Sequence, residues 1–379
     1  MPPGEACQNL FLLRFHSLLF LPSTNIKKPP RLHQGMTILV TGCAGFIGSH
    51  VVEALLDEQQ NVIGIDDLND YYDVARKRAN LEGIRSHPNA RQFAFHQVDV
   101  TNRAALEAVF SETPRQAPIT VVIHLAARAG VRASFREPDL YRSVNVDGTR
   151  NLLELSKQHG ARGFVFASSS SVYGNTRPPF KETDAPLEQL SPYATTKYEG
   201  EQLCREAASF AFPIVVLRFF TVYGPRGRPD MAPYKFLRRV LLGEPIEKFG
   251  DGTSARDYTF VDDIVAGVLL ASSKLGSLPS PFEIFNLGDA QPVTLNDFIA
   301  TIEQVAGKKA IIKQGDVQQG DVPSTCANIS KARQKLVWEP RIKLRDGLLL
   351  TYEDVRSELF PDDEDDDALG DEENAVSPD

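Results

Sequence analysis

The sequence predicts an α/β protein built on a doubly wound parallel sheet. Two observations carry this. From residue 36 to about residue 171, near-continuous apolar runs alternate with stretches of helical periodicity, and the first turn between such runs is made of glycines. Strands that are apolar on both faces need helices covering both faces, which is the arrangement of a parallel sheet. The polar residues of interest fall at the ends of the runs, where such sheets bind their ligands.

Composition sets the bounds. The 379-residue chain is 42% hydrophobic, enough for a sizeable core. Its net charge of -9 misleads, because ten of the 50 acidic residues lie in PDDEDDDALGDEENAVSPD (361–379), which holds no Lys or Arg. The body is close to neutral, so nucleic acid is not an expected partner. Cys7, Cys43, Cys204 and Cys326 show no CxxC spacing. Neither a disulfide framework nor a metal site is expected, and a reducing, cytoplasmic setting fits. LFLLRFHSLLFL (10–21) contains Arg14 and His16 and is too short to span a bilayer. Residues 1–35 read either as an unstructured extension ahead of a fold starting at Met36, or as a targeting segment that offers the one route to a membrane. The acidic tail is expected to be disordered, since like charges repel and it has little apolar surface to bury.

TILVTGCAGFIGSHVVEALLDEQQNVIGIDDLND (37–70) reads as strand, helix, strand. Gly42, Gly45 and Gly48 let the backbone approach a pyrophosphate, which then rests on amides at the helix start, around Phe46 and Ile47. Asp66 closes the second strand 18 residues after Gly48. A carboxylate there accepts bonds from an adenosine ribose and repels a 2′-phosphate, so the expected cofactor is NAD rather than NADP. The unit is a Rossmann-type dinucleotide-binding motif. The alternation continues through FAFHQVDV (93–100), a helix near 103–110, TVVIHLAA (120–127), a helix through NVDGTRNLLELSKQ, and GFVFASSSS (163–171). At the strand ends, Asp99 and Val100 would border the adenine, while Leu125, Ala126 and Ala127 leave room beneath the cofactor. His124 reads as a core histidine. Asn145 reads as a backbone-binding residue near the site or as a helix-packing one.

SPYATTKYEGEQL (191–203) puts Tyr193 and Lys197 four residues apart, on one face of a helix. Ser169 ends the strand before it. A phenol titrates near pH ~10, so acting as a base at neutral pH requires help. A neighbouring ammonium and a positively charged nicotinamide both favour phenolate. Lys197 would supply that field and bind the nicotinamide ribose, and Ser169 would bond to the reacting oxygen.

These residues resemble the extended short-chain dehydrogenase/reductase family over nearly all of 36–350. TGCAGFIG, IHLAA, SSSSVYG, SPYATTK and FGDGTSARDYTFVDD match that family's signatures in its order. The resemblance implies that Ser169, Tyr193 and Lys197 are catalytic, that the substrate is a UDP-sugar, and that a smaller mixed α/β C-terminal lobe covers the site. It also implies a homodimer formed through two helices per subunit. Residues 36–218, with a later contribution from about 258–287, would form the NAD-binding domain, and 219–360 mainly the substrate lobe. Cys43 falls at a variable loop position and has no implied chemical role.

Members acting on nucleotide sugars begin by moving a hydride from C4 to NAD. Dehydratases then use Asp and Glu where this chain has Ser170 and Ser171, and decarboxylases carry Glu at the second position. Neither serine is an acid or base near neutral pH, which disfavours dehydration and decarboxylation, whereas epimerisation needs no further acid or base. By resemblance, Lys235 and Arg256 suit the diphosphate, Asp321 a ribose, and Thr221, Ser170 and Ser171 the sugar. The loop TVYGPRGRPDMAP (221–233) resembles the branch acting on UDP-glucuronate, through GPRxRPDMA at 224–232, FFTVYG before it and QGDVP later. A guanidinium engages a C6 carboxylate with paired bonds; Arg228 is assigned that role and Arg226 a structural one. The expected activity interconverts UDP-glucuronate and UDP-galacturonate through a 4-keto sugar. Open alternatives are a 4-epimerase of neutral UDP-hexoses, a UDP-glucuronate decarboxylase, and a non-catalytic NAD-binding sensor whose acidic tail engages a partner.

Overall fold

A computed structural model describes residues 35–113, 117–184, 189–316 and 322–361. The expectations for the N-terminal extension, for the acidic tail and for Asp321 lie outside the described residues. No described helix is long and apolar enough to cross a membrane.

Six parallel strands, β1 (Thr37–Thr41), β2 (Asn61–Asp66), β3 (Phe93–Gln97), β4 (Ile119–His124), β5 (Gly163–Ser169) and β6 (Ile214–Phe219), stand in the order β6-β5-β4-β1-β2-β3. The chain then leaves this sheet for β7 (Thr221–Tyr223), β8 (Ile246–Phe249) and β9 (Ala255–Phe260), and returns as β10 (Phe282–Leu287), which pairs in parallel with β6. Two small sheets complete the fold. One sets β11 (Pro292–Thr294) against β9 and β9 against β7; the other pairs β12 (Ile312–Gly315) with β8.

Alternation along β1 builds two cores. Ile38 and Val40 pack on one face with Val51, Leu55 and Leu56 of α1 (Phe46–Asp57). Leu39 joins Val122, Leu152 and Val216 on the other. The register sets Thr41 beside Ile65 and His124, and Ser169 beside Phe219, so the strand C-termini share one edge. This edge carries the site.

Three strands are shorter than the apolar runs suggest. β4 stops at His124, leaving Leu125–Ala127 in a loop, β3 stops at Gln97, and β5 stops at Ser169 before one tight helical turn over Ser170–Tyr173. At β4 the end coincides with loss of one of its two neighbours, since His124 pairs with Thr41 and β1 then turns away at Gly42 (φ +72°), while β5 runs on to Ser169. Apolarity past that point lines a cavity.

The remaining helices are α2 (Val74–Arg85), α3 (Arg103–Glu112), α4 (Gly148–Gln158), α5 (Pro192–Ala207), α6 (Ala232–Leu242), α7 (Val261–Lys274), α8 (Leu295–Ala306) and α9 (Leu344–Leu359), with shorter turns between. α5 is well started: Pro192 occupies its first turn and Ser191 Oγ accepts from Ala194 N at 3.2 Å. In the C-terminal part, buried Asp257 accepts from the amides of Asp289 (2.6 Å), Ala290 (3.1 Å) and Ala327 (2.8 Å), joining β9 to two distant turns.

Behind the edge, Glu201 of α5 takes paired bonds from Arg218 of β6, Nε at 2.9 Å and Nη2 at 2.7 Å, and a third from Ser168 Oγ at 2.5 Å. Both charged side chains are almost wholly buried. Removing one member of such a pair strands the other charge. Glu201→Ala is therefore expected to lower the free energy of unfolding by about 3–5 kcal/mol, read by urea denaturation.

Candidate active site

A cavity of about 460 Å³ opens along the C-terminal edge. Every site residue expected from the sequence lines it except Lys235, Arg256 and Asp321. Lys235 lies on α6, Arg256 on β9 with Nη1 donating to Ala255 O at 2.9 Å, and Asp321 outside the described residues.

The dinucleotide end starts from the glycines. A Cβ on Gly42 would meet Ala126 N at 2.9 Å, and one on Gly48 would meet the Gly42 carbonyl at 1.9 Å. Only glycine permits helix α1 to start this close to β1. Gly45 caps α1 without a side-chain bond, so first-turn amides are available to an anion. Asp66 Oδ2 accepts from Ala44 N at 3.1 Å and Oδ1 from Leu68 N at 2.9 Å, with Lys77 Nζ 3.9 Å from Oδ1. Burial pushes this carboxyl up, opposed first by Lys77 and then by the amides. The bare loop, the small Ala126 and Ala127 floor and the carboxylate at the end of β2 fit an adenine dinucleotide.

His124 is buried between Thr41 Oγ1 (2.7 Å) and Thr149 Oγ1 (3.0 Å). Burial, aided by the charge of Lys197, holds it neutral with a pKa pulled down to about 3. Its place is the core. Asn145 sits in a widened π-type turn, Ser143–Asp147. Its Oδ1 accepts from Arg128 N at 2.8 Å, while Nδ2 donates to Arg128 O at 3.0 Å and Thr196 Oγ1 at 3.0 Å. Both readings of Asn145 hold, because it clamps the post-β4 loop and ties it to α5.

At the reacting end, Tyr193 is only partly exposed to the cavity. Burial pushes its phenol up from the usual range, and a bond to Ser169 and the charge of Arg228 pull it down. The sequence pointed to Lys197 as the cation acting on the phenol. In the structure Lys197 Nζ turns to Ala167 O at 2.8 Å, and Arg228 is the cation that lowers Tyr193. Burial pulls Lys197 down to about 8, against the charges of Cys204 and Glu201.

Arg226 is structural. Its amide donates to Asp354 Oδ2 at 2.8 Å and its guanidinium meets Glu53 at 2.7 Å. Arg228 forms paired bonds to Asp230, Nε to Oδ1 at 3.0 Å and Nη2 to Oδ2 at 2.6 Å. Asp230, Lys77, Asn69, Arg128, Tyr71 and Tyr72 also line the cavity, and the sequence reading missed them. DYYD (70–73), directly after the DDLN that follows the second apolar run, was an available signal for the tyrosines. The cavity carboxylates are Asp66, Asp67, Asp99 and Asp230. Ser170 and Ser171 supply no acid beside Tyr193.

The fold and the site define a dinucleotide-binding α/β protein with a strand-end serine facing a tyrosine and lysine set on the adjoining helix. Residues 38–288 match the NAD dependent epimerase/dehydratase family, and the chain belongs to it. It is 45% identical over 315 residues to the UDP-glucuronate 4-epimerase of Thermodesulfobacterium geofontis, covering 83% of this chain and 94% of that one. Among solved structures, the UDP-glucuronic acid 4-epimerase of Bacillus cereus in complex with UDP-glucuronic acid and NAD is similar at a TM-score of 0.77 and 36% identity, over 85% of this chain and 99% of that chain. The UDP-glucose 4-epimerase of Thermotoga maritima with UDP-glucose is similar at 0.73 and 34%, over 86% and 100%.

The glycine loop supplies a direct test. In Gly48→Ala the new methyl group would lie 1.9 Å from the Gly42 carbonyl, so α1 must move away from β1. NAD affinity by calorimetry is expected to fall about a hundredfold or more, the loss of two charge-assisted bonds to the pyrophosphate. An unchanged affinity would refute the role given to the loop.

Proposed function

We propose that the protein is an NAD-dependent 4-epimerase of nucleotide sugars, an isomerase that interconverts UDP-glucuronate and UDP-galacturonate through a 4-keto intermediate. The observation that carries this reading is the pairing, in one cavity, of Tyr193 and Ser169 with the guanidinium of Arg228, beside two serines that supply no second acid or base.

Tyr193, as phenolate, takes the proton of the C4 hydroxyl, and Ser169 Oγ bonds to the same oxygen. Bound NAD, held by the Gly42–Gly48 loop, Asp66 and Lys197, would supply the hydride acceptor for C4 and the donor for its return on the opposite face. The 4-keto sugar turns in between, so the chain must hold the nucleotide firmly and the ring loosely. Tyr193 then returns its proton. Lys197 is assigned to the nicotinamide ribose, and Arg228 supplies positive charge at the phenol. Thr221, Ser170 and Ser171 face the sugar. Lys235 and Arg256 keep the diphosphate, and Asp321 a ribose, on the resemblance alone. Arg228 engages the C6 carboxylate. A 4-keto uronate is a β-keto acid and loses CO2 when its C5–C6 bond lines up with the carbonyl π system; Thr221, the serines and Arg228 would hold that bond out of line. The same reading includes an NAD domain over 36–218 with a later contribution from about 258–287, a substrate lobe mainly over 219–360, a homodimer and a cytoplasmic enzyme.

One observation favours a neutral UDP-hexose as substrate. The fork of Arg228 is already filled by Asp230, which makes that wall of the cavity nearly neutral.

Incubation with UDP-glucuronate and NAD is expected to yield UDP-galacturonate, with neither UDP-xylose nor a 4-keto sugar accumulating; chromatography separates these products. A bond to a charged group contributes about 1.5–3 kcal/mol. Arg228→Ala should therefore lower kcat/KM for UDP-glucuronate roughly ten- to a hundredfold more than for UDP-glucose. Equal losses would remove Arg228 from the carboxylate role. The pH profile follows from two groups. Burial raises Tyr193 above the ordinary phenol range, so phenolate grows with pH, while Lys197 loses its charge above about 8; activity climbs up to about pH 8 and then levels off, because each gain in phenolate is offset by a loss of ammonium. In Lys197→Arg, which keeps its charge, the climb should continue past pH 8, and a profile that still levels off there would assign the bend to another group.

A further inference from the structure

Arg228 and Asp230 are held very differently. The arginine's stretch of loop is pinned by Arg226, through Glu53 and Asp354, and by Gly227 N donating to Gly224 O at 3.1 Å. The Arg228 guanidinium lies 5.4 Å from the Tyr71 ring centroid and is 18% exposed. The Asp230 carboxylate is 41% exposed, and beyond its paired bonds to Arg228 it accepts only from Tyr71 Oη, at 3.3 Å, among the described residues. Of the two, Asp230 is the member free to leave. It offers Arg228 the planar two-oxygen geometry that a free carboxylate would offer.

We propose that Asp230 is a positioning residue that stands in the place of the substrate's C6 carboxylate and exchanges with it. This rests on the uronate reading above. On binding, the substrate carboxylate takes over the fork and Asp230 swings to solvent, so the mostly buried guanidinium always keeps a counter-charge. When the 4-keto ring turns, its carboxylate must leave Arg228. Asp230 re-pairs during that passage and stabilises the state in which the ring is free. A neutral hexose has nothing to exchange and leaves the pair closed. The aspartate thus weakens the hold on the uronate and in return permits the turn.

The effect acts through Arg228 and splits the two kinetic constants. In Asp230→Asn the competing charge is gone, so KM for UDP-glucuronate should fall about three- to tenfold, tenfold being about 1.4 kcal/mol. kcat should fall as well, because the turned ring no longer finds Arg228 neutralised. Constants for UDP-glucose should move less than about twofold, within the small effect of losing one half-exposed charge pair. Asp230→Glu should restore the wild-type KM, and Asp230→Ser repeats the test should the amide hold Arg228 by itself. The inhibition constant of UDP, unchanged in each variant, verifies an intact nucleotide site. A KM for UDP-glucuronate that is unchanged or raised in both the Asn and Ser variants would overturn the exchange, because Asp230 would then merely hold Arg228 in place. Arg228→Ala tests the underlying reading separately. Equal loss on both sugars there defeats the uronate assignment, whereas selective loss there with no KM decrease at Asp230 defeats only the exchange.

Discussion

The contact between Gly48 and the Gly42 carbonyl is the constraint on which the rest of the site depends. With no Cβ at Gly48, α1 starts against the end of β1 and turns its uncapped amides into the cavity. The turn at Gly42 also ends β1, which takes away β4's neighbour on that side, and Leu125–Ala127 leave the strand as an apolar floor. Thr41, the last residue of β1, receives Ala126 N on its hydroxyl at 3.1 Å, so the floor is tied to the strand that ends beside it. One steric requirement therefore shapes both walls of the dinucleotide half.

Electrostatics shape the other half. Tyr193, Lys197 and Arg228 are all withdrawn from water, and burial opposes the charged form of each. The fold answers with counter-charges on short tethers. Glu201 stands one turn from Lys197 and is neutralised in turn by Arg218, and Asp230 stands two residues from Arg228. At the phenol, burial is the stronger influence and holds the proton on, while the Ser169 hydroxyl and the Arg228 charge pull the other way. That balance suits a tyrosine that must both take and return one proton.

Much of this was legible in the sequence because its signals are local. The glycine spacing, the apolar strands, and the tyrosine and lysine on one helical face each follow from the period of a single element. The fold class could be read from alternation alone, since parallel strands carry apolar residues on both faces. What escaped the reading depends on chain reversals. Lys77 reaches Asp66 from the following helix, Asn145 reaches Arg128 across 17 residues, and Tyr71 meets Asp230 across 159. No periodicity encodes such meetings. Strand ends were overextended for a related reason. Leu125–Ala127 are as apolar as the strand before them, and the ladder ends there as β1, one of the two neighbouring strands, turns away. Lys235 and Arg256 were assigned by resemblance without a local signal, and neither reaches the cavity lining.

The loop 221–233 shows why charge counting at a site requires the fold. Read linearly, two arginines and one aspartate make a cationic loop waiting for an anion. Folded, Arg226 is used up on α1 and Asp354, and Arg228 is neutralised by the aspartate two residues on. An enzyme that inverts one carbon must release its grip on the ring between two hydride movements, and a naked, mostly buried guanidinium opposes that release. If the counter-charge were rigid, the substrate carboxylate would be refused; without one, it would be trapped. A half-exposed carboxylate on the same loop, with water on its far side, avoids both, and this balance depends on the exposure of Asp230 as much as on its charge.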